Sequence, residues 1–85
     1  MLEDLKLQSF RYKMKSITAI EFVDAVKAYC ELPDAGHEAQ MTLDLSDLLL
    51  RLLAQGEWLS DREGIPTEQF KKLAEKIYKT LWVLP

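Results

Sequence analysis

The chain has 85 residues and a formal net charge of −3, and 48% of its residues are hydrophobic. A chain of this length forms one domain, and its hydrophobic content is too high for an intrinsically disordered protein. The acidic balance argues against a general nucleic-acid coat and against a basic membrane-surface peptide. No segment has the apolar length of a membrane span or the pattern of a secretory signal, so we expect a cytoplasmic protein without a membrane partner.

Leucine dominates the hydrophobic residues: the chain has fifteen leucines against three valines and four isoleucines. Leucine favours helices, whereas β-branched residues favour strands. The composition therefore predicts an all-α fold. We expect a compact bundle of three main helices, preceded by an N-terminal helix or arm at residues 1–15.

Residues 1–15 are compatible with two local structures. Helical spacing favours a helix whose buried stripe comprises Leu7, Phe10, Met14 and Ile17. The same region alternates apolar and polar residues from Phe10 to Lys15, as a half-exposed strand would. No other segment is typical of a strand, so a strand here would have to pair with another chain. We expect a helix and keep the strand as the alternative.

The clearest helix is predicted over residues 18–32. Thr18 and Glu21 have the spacing of a capping box, in which the hydroxyl and the carboxylate satisfy free backbone N–H groups of the first turn. The apolar positions that follow recur with helical periodicity and predict one buried stripe: Ala19, Phe22, Val23, Val26, Tyr29 and Cys30. Pro33 should end this helix at about Leu32.

The next predicted helix, from about residue 42 to residue 55, is apolar around most of its circumference. Its first stripe comprises Met41, Leu45, Leu48, Leu49 and Leu52, and its second comprises Leu43, Leu50, Leu53 and Ala54. Polar side chains are confined to a narrow arc: Asp44, Asp47, Arg51 and Gln55. A helix of this kind must be buried on two sides. We therefore expect it at the centre of the bundle or in a subunit interface.

Gly56 is suited to end this helix in the left-handed conformation. Trp58 and Leu59 would then lie in the loop that follows. Within the helix, the i, i+4 spacing of Asp47 and Arg51 predicts an ion pair.

The last helix is predicted over residues 67–82, with Pro66 and Thr67 at its first turn. Its buried stripe should comprise Phe70, Leu73, Ala74, Ile77 and Leu81. Lys72, Lys76 and Lys79 form a basic ridge on the opposite side. This ridge supports the alternative function, a transcriptional regulator that binds DNA through the last helix, although the acidic net charge argues against it.

The sequence contains no convincing catalytic, cofactor or metal site. Asp34, His37 and Glu38 could supply three metal ligands from one short turn, but this pattern is more typical of a solvent-exposed turn. Cys30 has only His37 as a partner for nucleophilic chemistry and no third group to orient that histidine. Three scattered glycines cannot form a phosphate-binding loop. We therefore expect no catalytic residue, cofactor or metal ion.

Recognition of another protein is the remaining class of function. The expected apolar anchors are Leu43, Leu50, Leu53, Trp58 and Trp82, and the acidic residues Asp44 and Asp47 should set the register. The partner could also be a second copy of the chain, which would make a homodimer. The two tryptophans have an alternative role, because a small core also needs large side chains to close its ends.

Overall fold

A computed structural model describes the chain at residues 2–32, 43–59 and 65–83. Within these ranges the regular structure consists of four helices: α1 (Leu2–Lys13), α2 (Ala19–Cys30), α3 (Leu43–Leu59) and α4 (Glu68–Val83). The chain is compact, with a radius of gyration of 11.9 Å. The all-α prediction is confirmed, and the N-terminal segment is a helix rather than a strand.

Each helix packs mainly against two others. The close pairs are α1 with α2, α2 with α3, α3 with α4, and α4 with α1. The helices therefore surround one core, to which each contributes a single stripe. The expectation that the third helix lies at the centre is wrong, because α3 has no more close neighbours than the other described helices.

The buried side of α1 differs from the predicted stripe. Leu5 and Ser9 are buried and Tyr12 is half-buried, at the spacing i, i+4 and i+7. The predicted residues face outward instead: Leu7, Phe10 and Met14 are exposed, and only Ile17 is half-buried.

The aromatic ring of Tyr12 explains how α1 is rotated. It stacks on Phe22 of α2 with the ring centroids 5.1 Å apart, and it meets the edge of Phe70 of α4 at 5.9 Å. Aromatic pairs at these separations add to the free energy of area burial. The three rings join three helices, so α1 turns the side that carries Tyr12 toward the core.

A Schellman motif ends α1. The backbone N–H of Ser16 donates to the carbonyl of Arg11 at 2.9 Å, and that of Lys15 donates to the carbonyl of Tyr12 at 3.0 Å. Lys15 has a φ of 61°, in the left-handed region. Glycine is the usual residue at this position because a Cβ atom is disfavoured there, so Lys15 carries a conformational cost of about 1–2 kcal/mol.

The capping box of α2 is confirmed. The backbone N–H of Glu21 donates to Thr18 Oγ1 at 3.1 Å, and the backbone N–H of Thr18 donates to Glu21 Oε1 at 3.0 Å. All predicted stripe residues of α2 are buried except Cys30, which is exposed. Cys30 lies in the last turn of α2, next to the buried Tyr29 but outside the buried stripe.

Acid should weaken this cap. Hydrogen bonds from Thr18, first from its backbone and then from its side chain, hold the pKa of Glu21 below its ordinary value. A carboxyl group with a lowered pKa stabilises the fold above its unfolded pKa, and it loses that contribution as the pH falls through its folded pKa. Between neutral pH and about pH 3, the thermal midpoint should therefore fall more for the wild type than for Glu21→Gln, which keeps a capping side chain without a titrating proton. Parallel midpoint curves for the two proteins would contradict this expectation.

The third helix continues past the predicted end. Gly56 lies inside α3 and is buried, and Trp58 and Leu59 are helical rather than in a loop. A Cβ atom on Gly56 would lie 2.6 Å from Val23 Cγ1 of α2. The glycine therefore allows α2 and α3 to approach closely, and its role as a helix terminator was predicted wrongly.

The fourth helix follows the prediction closely. Thr67 caps it, because its Oγ1 accepts a hydrogen bond from the backbone N–H of Phe70 at 3.0 Å. The predicted stripe points inward: Phe70, Ala74, Ile77 and Leu81 are buried, and Leu73 is partly buried against the core.

Candidate functional site

The outer side of α3 carries exposed apolar side chains. Leu50 is 65% exposed and Trp58 is 75% exposed, and Ala54 between them is also exposed. The spacing i, i+4, i+8 places these three residues in one row along the helix. We call Leu50, Ala54 and Trp58 the α3 outer stripe. It lies opposite the side that buries Leu45, Leu49 and Leu52.

Charged residues flank the α3 outer stripe. Arg51 Nη2 lies 2.9 Å from Asp47 Oδ2, which confirms the predicted ion pair. Asp44 and Glu57 are also exposed on this helix. With three acidic residues and one arginine, α3 has a net charge of −2. The border of the stripe is therefore predominantly acidic.

The structure separates the predicted binding residues. Leu50, Trp58, Asp44 and Asp47 are exposed on α3, whereas Leu53 is half-buried against the core. The side chain of Leu43 lies outside the described part of the structure. Trp82 is half-exposed, but it lies on α4 beside α1 and is separate from the α3 outer stripe.

Trp82 belongs to an aromatic seam between α1 and α4, which we define as Phe10, Tyr78 and Trp82. The ring of Trp82 is 6.4 Å from that of Phe10 and 5.8 Å from that of Tyr78. Lys6 Nζ lies 5.8 Å from the Trp82 ring, and Lys13 Nζ lies 4.3 Å from the Tyr78 ring. These cation–π contacts hold two basic groups along the seam. Trp82 therefore takes part in the α1–α4 contact while it stays 51% exposed, and it is not among the residues of the buried core.

The basic ridge of α4 lies next to carboxylates. Its three lysines are exposed as predicted: Lys72, Lys76 and Lys79. Lys79 Nζ is 3.6 Å from Glu75 Oε1, and Lys76 and Lys79 line a groove together with Asp44 and Asp47 of α3. Nearby negative charge lowers the attraction of the ridge for phosphate.

A cleft that the sequence analysis missed lies between α1 and α4, next to the aromatic seam. It has a volume of about 540 Å³, and Tyr12, Ile17, Pro66 and Tyr78 form much of its wall. Ser9 also lines it. We call this the α1–α4 cleft. The sequence indicates this cleft only through Ser9, a polar residue that lies between Leu5 and Tyr12 on the buried side of α1.

The residues considered for chemistry in the sequence are Cys30 and the group formed by Asp34, His37 and Glu38. Asp34, His37 and Glu38 lie outside the described residues, so their possible ligation is untested. Partial burial and then the charge of Glu31 raise the pKa of the Cys30 thiol, which disfavours the reactive thiolate. Among residues 2–32, 43–59 and 65–83, no three His, Cys, Asp or Glu side chains are placed to hold a metal ion.

None of the four described helices combines the length and the apolar character that a membrane crossing requires. Comparisons with protein-family models, with curated proteins and with solved structures find no match to this chain.

Proposed function

We propose that this protein is a small cytoplasmic protein-binding module, built as a helical bundle, that recognises a helix of another protein through the α3 outer stripe. The exposure of Leu50 and Trp58 on a helix that buries its other side carries this proposal. When a partner covers apolar surface, the binding free energy gains about 25 cal/mol per Å², from which the entropy cost of association and of ordering side chains must be subtracted. Such a module acts as an adaptor, an inhibitor or a regulatory subunit, by tethering or by occluding its partner.

The geometry of the stripe suits a helical partner. Leu50 and Trp58 are two turns apart, so the row extends about 12 Å along the helix axis. Recognition between a helix and a groove uses apolar anchors with this kind of spacing. Ala54 lies between the two anchors and is small enough to allow close approach. Tryptophan is also the residue most enriched among those that dominate binding energy.

The charges around the stripe specify the chemistry of the partner. Asp44, Asp47 and Glu57 outnumber Arg51 on this helix. Charge complementarity across an interface raises the association rate and disfavours wrong partners. The proposed partner is therefore a helix that carries an apolar row flanked by lysine or arginine.

The decisive variant is Leu50→Asp. Because Leu50 is mostly exposed, the substitution should leave the helical circular-dichroism spectrum and the thermal midpoint nearly unchanged. It places a charge in the middle of the row, so it should weaken partner binding by tenfold or more, about 1.4 kcal/mol at least. Binding is measured by capture from a nuclease-treated lysate, and light scattering of the eluate gives the mass of the complex.

Leu7→Asp is the matched control, since Leu7 is also exposed but lies on α1. It should bind the captured protein as the wild type does. If the wild type is recovered alone as a discrete dimer, and Leu50→Asp converts it to a monomer, then the stripe serves self-association. Equal binding by Leu50→Asp and the wild type would contradict the proposal, as would unfolding of Leu50→Asp.

The DNA-binding alternative rests on the exposed lysines of α4 alone. Filter binding at a series of salt concentrations tests it, since phosphate contacts by lysine weaken steeply as salt rises. The carboxylates beside Lys76 and Lys79 lead us to expect negligible binding even at low salt. Tight binding that declines with salt, and that is lost in Lys72→Ala, would favour the DNA function instead.

A further inference from the structure

We propose that the α1–α4 cleft binds a small amphipathic carboxylate, with the apolar body of the ligand between α1 and α4 and its carboxylate at the lysines of the rim. This site lies away from the α3 outer stripe and does not depend on the protein-binding proposal. A volume of about 540 Å³ lies within the range of sites that take small molecules.

The wall of the cleft suits an apolar body. Tyr12 and Tyr78 contribute aromatic rings, and Ile17, Pro66 and Ala74 contribute aliphatic surface. Burial raises the pKa of the Tyr12 phenol above its ordinary value, which is consistent with a desolvated wall. A flat aromatic body or an extended alkyl chain would replace water on these surfaces.

Ser9 supplies an unused polar group. Its side chain is only 1% exposed, and its hydroxyl has no hydrogen-bond partner in the described structure. A buried polar group without a partner costs about 1–3 kcal/mol and therefore needs an explanation. A ligand oxygen that enters the cleft would give this hydroxyl its missing partner.

The rim of the cleft is positively charged. Lys13, Lys15 and Lys71 line it together with the carboxylate of Glu75. Each carboxylate at this rim has a lysine beside it: Lys79 Nζ lies 3.6 Å from Glu75 Oε1, and Lys71 Nζ lies 3.5 Å from Glu68 Oε1. Lys13 and Lys15 therefore supply the excess positive charge. Lysine attracts a carboxylate as a point charge, so the excess of cations favours an anionic ligand over a neutral or a cationic one.

Lys15 lines the cleft at the point where the Schellman motif ends α1. Its φ of 61° is strained for any residue with a side chain, and glycine would relieve that strain. Among the described residues Lys15 forms no ion pair, so its ammonium is available to a ligand carboxylate at the rim.

The experiment is an NMR titration of the full-length chain with two probes, 2-naphthoate and decanoate. Their neutral counterparts, 2-naphthalenemethanol and decanol, are titrated in parallel. At least one carboxylate should shift the backbone resonances of residues 9–17 and 71–78 and should bind about tenfold more tightly than its alcohol. The stronger of the two probes shows whether the natural ligand has an aromatic or an alkyl body.

Three variants separate binding from folding. Lys15→Gly should raise the thermal midpoint yet weaken carboxylate binding about threefold to fivefold. Ser9→Ala should also raise the midpoint and weaken binding, whereas Lys72→Ala, at an exposed lysine of α4 that does not line the cleft, should bind as the wild type does. Leu50→Asp should also leave the affinity unchanged, so the cleft and the protein-binding surface are tested separately.

Three results would overturn the proposal. The first is the absence of shifts at millimolar concentrations of both carboxylates, and the second is equal binding of the acids and their alcohols. The third is unchanged affinity in both Lys15→Gly and Ser9→Ala.

Discussion

Replacing Phe70 with alanine should lower the free energy of unfolding by about 3–5 kcal/mol. Phe70 is completely buried, and its ring meets that of Tyr12, so the substitution leaves a cavity where α1, α2 and α4 meet. The total stability of a domain is about 5–15 kcal/mol, so the variant should unfold at a much lower urea concentration. Urea denaturation followed by circular dichroism measures the difference.

Phe10→Ala is the matched control for this prediction. It removes the same atoms from a residue that is 40% exposed, so its cost should be well below that of Phe70→Ala. Equal losses in the two variants would contradict the burial of Phe70 in the core and the exposure of Phe10.

Gly56→Ala should destabilise the protein although alanine favours helices. On helix propensity alone, the substitution inside α3 would stabilise it by about 1 kcal/mol. The new Cβ atom would meet two methyl groups of Val23, at 2.6 and 2.8 Å, and at least one side chain or helix must move. Overpacking costs up to about 3 kcal/mol, and valine has little rotamer freedom. We expect a net loss of about 2 kcal/mol in urea denaturation.

Val23→Ala tests the cause of that loss. It removes the two methyl groups that a Cβ atom on Gly56 would meet. The double variant should therefore lose at least about 1 kcal/mol less than the sum of the two single variants. Additive losses, or a stabilised Gly56→Ala, would show that α2 and α3 do not approach closely at this point.

The sequence predicted the helices whose local signals agree with one another. Thr18 and Glu21 mark the start of α2 because a capping box depends only on residues three apart. The side of α4 opposite its buried stripe is charged, so only one rotation of the helix about its axis places the apolar residues in the core. In these two helices, local chemistry and tertiary packing favour the same arrangement.

Two features could not be predicted because local sequence leaves them open. Both sides of α1 are apolar enough to be buried, and the choice between them depends on tertiary contacts such as the burial of Leu5 and the stacking of Tyr12 on Phe22. Gly56 could end a helix or allow another helix to approach, and its position opposite Val23 decides for the second. Both choices depend on residues distant in the sequence.

The same distinction applies to the candidate sites. The second apolar stripe of α3 was recognised in the sequence because it lies on one helix, although only the structure shows that Leu50 faces solvent. The α1–α4 cleft escaped notice because Ser9, Lys15 and Tyr78 meet only when α1 packs against α4. A site within one helix can be found by periodicity, whereas a site between helices requires the fold.

The most direct test of the central claim is acrylamide quenching of Trp58 fluorescence. The chain has two tryptophans, so Trp82→Phe leaves Trp58 as the only reporter on the α3 outer stripe. Quenching should be strong in the dilute free protein and should fall severalfold in the complex with the protein that the wild type captures. A Trp58 that is already shielded in the free monomer, or that is quenched equally in the complex, would contradict the assignment of α3 as the binding surface.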